Sequence, residues 1–422
     1  MHKRDFLKSI SLAGIALPLN ALSMEQWLSD FQHISPAEMA EQEDFWSVIR
    51  SGYKLKPDYI NLENGYYNFL PENILEAYLK NIREVNYQGP YYMRTVQYDN
   101  KKKASAALAE LAGCTSEEII ITRNTTESLD TIIAGFPWKA GDEAVMAAQD
   151  YGAMLDMFKL VAKRHGVVNK IVSLPHNPKS DDELVQLYAA AITPKTKLLM
   201  VCHVVNITGQ VMPVKKICDM AHSKGVQVLV DGAHAFAQLN FKIPDLNCDY
   251  YGASLHKWLS VPLGAGLLYV KKAHIHQNWP LLGPSETEEP TIARFNHTGT
   301  HPVATDITIP FAIEHYKMIG ADRKEARLKY LQQYWLQQVK QLPKIILNTP
   351  DDPQRCCAIA NVGVKGIKPQ DLATTLLQQY KIYTVAIDRP EANVHGCRIT
   401  PNLYTTTKKL DQLVAALKIL AS

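Results

Sequence analysis

From about residue 119 onward, short apolar runs alternate with longer stretches whose apolar positions recur every three or four residues. A short unbroken apolar run suits a strand buried on both faces, and the longer spacing suits helices that cover it. The pattern predicts strands at 119–122, 143–146, 170–173, 197–202, 226–230 and 264–270, and helices at 127–136, 153–165, 182–192 and 214–224. Strands alternating with helices in this way imply an α/β fold with a mostly parallel sheet covered on both faces. Thr122, His203 and Asp231 fall at carboxyl ends of predicted strands, where open parallel sheets bind their ligands.

Past residue 300 the texture changes. A long helical segment rich in Lys, Arg and Gln is predicted over 307–342, then strands at 357–362 and 383–387 and helices at 369–380 and 408–420. This reads as a smaller α+β C-terminal domain. A length of 422 residues suits such a pair of domains. The expected division is a targeting segment at 1–23, an arm at 24–75 joining the small domain, a large domain at 76–300 and the small domain at 301–422.

Composition narrows the class. Apolar residues make up 46% and charged residues 21%, as in an ordinary soluble enzyme. With 45 basic against 42 acidic residues the net charge is +3, which asks for neither nucleic acid nor an acidic surface as partner. The seven cysteines show no CxxC spacing, and an odd number argues against full disulfide pairing, so buried free thiols are expected. At the N-terminus, Lys3, Arg4 and Lys8 precede a short apolar run at 11–19, and Ala21-Leu22-Ser23 offers small residues at cleavage spacing. The run is too short for a stable membrane anchor. It resembles a twin-arginine export signal with Lys in place of the first Arg, which predicts a periplasmic protein. A frayed amphipathic helix on a cytoplasmic protein is the alternative.

Chemistry concentrates around two residues. Asp231 closes the apolar run Val226-Gln227-Val228-Leu229-Val230, and Lys257 follows in Ser254-Leu255-His256-Lys257-Trp258. An acid at the end of a buried strand, followed by a lysine flanked by Ser and His, suits pyridoxal phosphate (PLP). The carboxylate keeps the pyridine nitrogen protonated and the lysine carries the cofactor as a Schiff base. Thr125 and Thr126, between a strand and a helix, offer a phosphate site at the helix N-terminus or serve as ordinary caps. Ser254 and His256 could add further phosphate donors. Tyr151 lies just past a strand, where it either stacks on the ring or packs in the core. Asn206 either donates to the cofactor's phenolic oxygen or forms a turn before Gly209. No G-x-G-x-x-G follows any strand, which argues against a dinucleotide binder.

The order Thr125-Thr126-Glu127, Tyr151, Asn206-x-x-Gly209, Asp231-Gly-Ala-His234 and Ser254-x-His256-Lys257 resembles the class V PLP-dependent aminotransferases, a group that includes cysteine desulfurases and isopenicillin N epimerase. Asn64-Gly65-Tyr66-Tyr67 and Arg398-Ile399-Thr400-Pro401 point to the epimerase-like branch. The resemblance implies the aspartate aminotransferase-like architecture, fold type I, with a large seven-stranded-type sheet. It implies that Lys257 carries the cofactor and shuttles the proton, that Asp231 pairs with the pyridinium, and that Tyr151 takes the stacking place. Asn206 and His234 are implied near the phenolic oxygen, and Thr125, Thr126, Ser254 and His256 around the phosphate. Thr300 matches a threonine that reaches the neighbouring subunit's phosphate, which implies a homodimer. Arg398 matches the arginine that grips an α-carboxylate, with Asn64 beside the substrate; Arg94 is a second candidate contact. The stretch 388–395, where desulfurases carry a mobile cysteine, has none, which argues against desulfuration. An epimerase or racemase acting on an amino-acid-type substrate is expected. A β-eliminating lyase, an aminotransferase and a PLP-binding regulatory protein are the alternatives.

Overall fold

A computed structural model describes residue 31, residues 33–283 and residues 291–422. The expected export signal lies outside the described residues. Helices α1 (Pro36–Ala40) and α2 (Glu43–Ser51) precede β1 (Ile60–Asn61), and α3 (Glu72–Gln88) leads through a π-helical turn at Tyr92–Val96 into α4 (Gln97–Ala112). The alternating region then follows as β2 (Ile119–Thr122), α5 (Thr125–Gly135), β3 (Glu143–Ala147), α6 (Gly152–His165), β4 (Val168–Val172), α7 (Asp181–Ala191), β5 (Thr196–Cys202), α8 (Val214–Ser223), β6 (Gln227–Asp231), β7 (Tyr250–Ser254) and β8 (Gly266–Val270).

These strands form one seven-stranded sheet in the order β2-β8-β7-β6-β5-β3-β4. Only β8 runs against the rest, pairing antiparallel with β2 and β7. Alternate residues feed two separate cores. Val145, Val201 and Val230 pack toward α4, α7 and α8, while Met146, Met200 and Leu229 pack toward α5 and α6. Burial on both faces explains why these strands read as continuous apolar runs. β7 was not anticipated: Gly252 interrupts its run, and a Cβ there would lie 2.9 Å from Ser128 Cβ.

The C-terminal part comprises α9 (Val303–Asp306), α10 (Ile309–Ile319), α11 (Ala321–Val339), β9 (Ile345–Leu347), β10 (Ala360–Val364), α12 (Pro369–Tyr380), β11 (Ile382–Tyr383), β12 (Val385–Arg389), β13 (Val394–Ile399) and α13 (Thr407–Leu420). The single helix expected over 307–342 is corrected to two. Gly320 adopts φ +91°, outside the right-handed region, and ends one helix before the next begins. The stretch 388–395 comprises the facing ends of two paired strands and the turn between them, since Asp388 faces His395 and Arg389 faces Val394 in the β12–β13 ladder. β12, β13, β10 and β9 form an antiparallel sheet around a separate core that includes Trp335, Val362 and Leu413. β1 joins this part of the molecule, pairing Ile60 with Ile382. Among the described residues no helix is long and apolar enough to cross a membrane.

Candidate active site

Strand register brings the chemistry together. Asp231 ends β6 opposite Cys202 on β5 and Gly252 on β7. Lys257 lies just beyond β7, where Asn68 fixes the backbone: its side chain donates to the Lys257 carbonyl and its N–H to the His256 carbonyl. Asn402 holds Asn68 in turn at 2.7 Å. Neither asparagine was anticipated as a support.

Asp231 is buried, and one oxygen accepts the Ala233 N–H at 3.0 Å. Burial raises its pKa, while that hydrogen bond and the charge of Lys257 oppose the shift. The Cys202 thiol lies 3.9 Å from the other oxygen, which leaves the carboxyl with capacity for a cationic partner. Behind it Asp150, also buried, is pushed up to about 7 chiefly by burial.

Burial lowers the Lys257 amine to about 8 against the opposing pull of Asp231, and the nearby Arg398 charge lowers it further. His234 Nε2 sits 3.0 Å from this amine, and the Trp258 indole N–H points at His234 Nδ1 from 3.4 Å. Burial first, then the charges of Lys257 and Arg398, hold His234 far below its ordinary pKa. A neutral imidazole that accepts on Nδ1 carries its proton on Nε2, so it donates to a lysine amine that is itself neutral. A nucleophilic amine near neutral pH is what a carbonyl cofactor requires of its lysine.

The phosphate candidates converge. Asn124 caps α5 by accepting the Glu127 N–H, so Thr125 and Thr126 occupy the first turn rather than the cap. The Thr125 N–H and hydroxyl lie 2.9 and 2.7 Å from Ser254 Oγ, uniting two motifs 129 residues apart. The positive end of α5 favours an anion here. His256 Nδ1 and Asn206 Oδ1 are buried without hydrogen-bond partners. His256 is lowered to about 4, chiefly by burial, and so stands as a neutral donor. Tyr151 is 45% exposed at the start of α6, which corrects the reading of it as a core tyrosine and leaves its ring free to stack. These donors, the buried acid and a lysine that sheds its proton near pH 8 fit PLP.

Two residues behave differently from expectation. The carboxylate fork of Arg398 is already filled: the residue is buried, and its Nε and Nη2 engage the two oxygens of Glu63 while Nη1 donates to the Asn206 carbonyl at 3.1 Å. Removing one partner of such a buried pair typically costs about 3–5 kcal/mol, so the contact is not incidental. Asn64 is buried, its side chain donating to the Thr400 carbonyl and accepting from Asn61 and the Tyr404 hydroxyl. These bonds make it a tie between β1 and the strand of Arg398. Thr300 and Arg94 are exposed. All seven cysteines are free, and Cys397 is buried with its thiol on the Pro369 carbonyl.

A family model described as aminotransferase class V matches residues 70–413, and the chain belongs to that family, whose cofactor is PLP. It is 25% identical over 398 residues to the isopenicillin N epimerase of Streptomyces clavuligerus, covering 89% of this chain and 98% of that one. It is 28% identical to a probable cysteine desulfurase of Halobacterium salinarum, covering 85% of this chain and 91% of that one. In three dimensions it resembles a lysine-to-alanine mutant of C-DES with glycine covalently linked to its PLP cofactor. That match has a TM-score of 0.77 at 22% identity, over 86% of this chain and 96% of that one. The architecture is that of fold type I PLP enzymes.

Proposed function

We propose that the protein is an epimerase- or racemase-type enzyme acting on an amino acid or an amino-acid-containing substrate. The observation that carries this reading is the Lys257–His234 pair, an amine lowered to about 8 and held 3.0 Å from a neutral imidazole. When bound, the cofactor's pyridinium ring takes up the electron pair left at the substrate's α-carbon. Asp231, buried and short of partners, keeps the ring nitrogen protonated. Lys257 carries the cofactor and, once free, removes the α-proton. His234 orients the Lys257 amine through its Nε2–H, and Tyr151 is the candidate acid for return from the other face. Thr125, Thr126, Ser254 and His256 hold the phosphate, and Arg398 receives the α-carboxylate.

Full-length similarity to an isopenicillin N epimerase supports this outcome over desulfuration, as does the lack of a cysteine between 388 and 395. Incubating the holoenzyme with a panel of amino acids in deuterated water tests it. Deuterium at Cα with the structure retained supports epimerisation. Keto acid with ammonia or thiol indicates a lyase, and no exchange with any member of the panel sinks the catalytic reading.

We propose also that the protein is exported and works as a homodimer in which the exposed Thr300 faces the neighbouring phosphate site. Sedimentation velocity showing only a monomer, or a protein retained in the cytoplasm on fractionation, contradicts the respective point.

A further inference from the structure

Arg398 presents five N–H groups, and the structure shows how most of them are engaged. Nε and Nη2, the fork that suits a carboxylate, face the two oxygens of Glu63, and Nη1 faces the Asn206 carbonyl. One face of the guanidinium is closed by the chain itself, because a Cβ on Gly65 would lie 2.6 Å from Arg398 Cζ. A ligand therefore reaches Arg398 along its edges, and the best edge is filled. The pair borders the reaction centre, since both Arg398 and Glu63 act electrostatically on the Lys257 amine. Glu63 is also held independently of Arg398, with one oxygen accepting the Tyr66 N–H at 3.0 Å. Tyr66 itself is 76% exposed.

We propose that Glu63 is a placeholder for the substrate's carboxylate, occupying the Arg398 fork until an incoming carboxylate displaces it toward its Tyr66 anchor. This rests on reading Arg398 as the carboxylate receptor. The exchange replaces one carboxylate by another and leaves the buried guanidinium balanced throughout. A neutral isostere cannot make that exchange, because it would leave both Arg398 and Glu63 without their partner in a buried setting. Glu63 thereby makes the site selective for a free acid over an amide or ester, and it weakens the affinity for any carboxylate by competing with it. The substrate class this favours is an α-amino acid with an unmodified carboxyl group.

The test is calorimetric binding to holoenzyme of propionate, a carboxylate without an amine, with propionamide as the neutral control. Glu63→Gln keeps an oxygen for the Tyr66 N–H and the fork while removing the charge. Propionate is expected to bind at least about tenfold more tightly to Glu63→Gln than to the wild type, propionamide no better to either, and Arg398→Gln to abolish the gain. Glu63→Ala is expected to shift in the same direction, and retention of the cofactor absorbance shows that each variant is folded. Unchanged or weaker propionate binding in both folded Glu63 variants overturns the proposal and makes Glu63 a fixed structural partner. Propionate binding that survives Arg398→Gln overturns instead the reading of Arg398 as receptor, and the placeholder with it.

Discussion

The Lys257 amine lies 3.0 Å from His234 Nε2, and the other ring nitrogen of His234 faces the Trp258 indole at 3.4 Å. The indole assigns the imidazole proton to Nε2, so the contact exists only while the lysine is neutral. In cofactor-stripped protein, the rate of PLP capture is therefore expected to rise through about pH 8 as Lys257 loses its proton. His234→Ala removes a group that favours the neutral amine, and the rise is expected to move to higher pH. Stopped-flow absorbance against pH measures both, and a midpoint near 10.5 in the wild type contradicts the assigned environment.

Asp231 should matter for chemistry rather than for retention. Its buried carboxyl has one backbone donor and a distant thiol, so a pyridinium is its natural partner. Asp231→Asn is expected to keep the cofactor while slowing Cα–H exchange by ~10²–10³, the usual effect of deleting one electrostatic stabiliser in a water-excluded site. Exchange at the wild-type rate would remove Asp231 from the mechanism.

Gly209 tests how the Asn206 loop is seated. It adopts φ +79°, and a Cβ there would lie 2.0 Å from the Ile359 carbonyl oxygen. Gly209→Ala therefore meets both a left-handed backbone and a backbone clash. A loss of about 3 kcal/mol in chemical denaturation is expected.

Lys324 on α11 is buried, donates to the Trp258 carbonyl and is lowered to about 7 chiefly by burial. Between about pH 7 and 10.5 the unfolded chain keeps a proton that the folded protein has released, so stability rises with pH across that window. Below it both states are protonated and the contribution is constant. Lys324→Met is expected to flatten this slope and to raise stability on the order of a few kcal/mol at neutral pH. Denaturation of both proteins across the window checks the difference, which cancels the parallel contribution of other groups.

Much of the sheet was legible because its strands are buried on both faces and so read as unbroken apolar runs. Asp231 and the Thr125 turn were legible for the same reason, since each sits at the end of such a run, whereas Lys257 was legible from its Ser254 and His256 flank. β7 was missed where Gly252 makes room for α5, and the helix break at Gly320 was missed because a single glycine does not disturb the surrounding periodicity. The partners of the site residues were not legible. Glu63 meets Arg398 across 335 positions, and Asn68 reaches the Lys257 carbonyl across 189. Such contacts depend on how two sheets are brought together, and nothing in local spacing encodes them. Asn64 shows the converse: its motif position suggested a substrate contact, whereas its buried amide ties β1 to Thr400 and Tyr404.

Borohydride reduction of the purified holoenzyme, followed by peptide mass spectrometry, tests the central assignment most directly. A phosphopyridoxyl group fixed on the peptide that contains Lys257, together with loss of the ~420 nm band in Lys257→Ala, is the expected result. Cofactor fixed on another lysine, or none fixed at all, would contradict it.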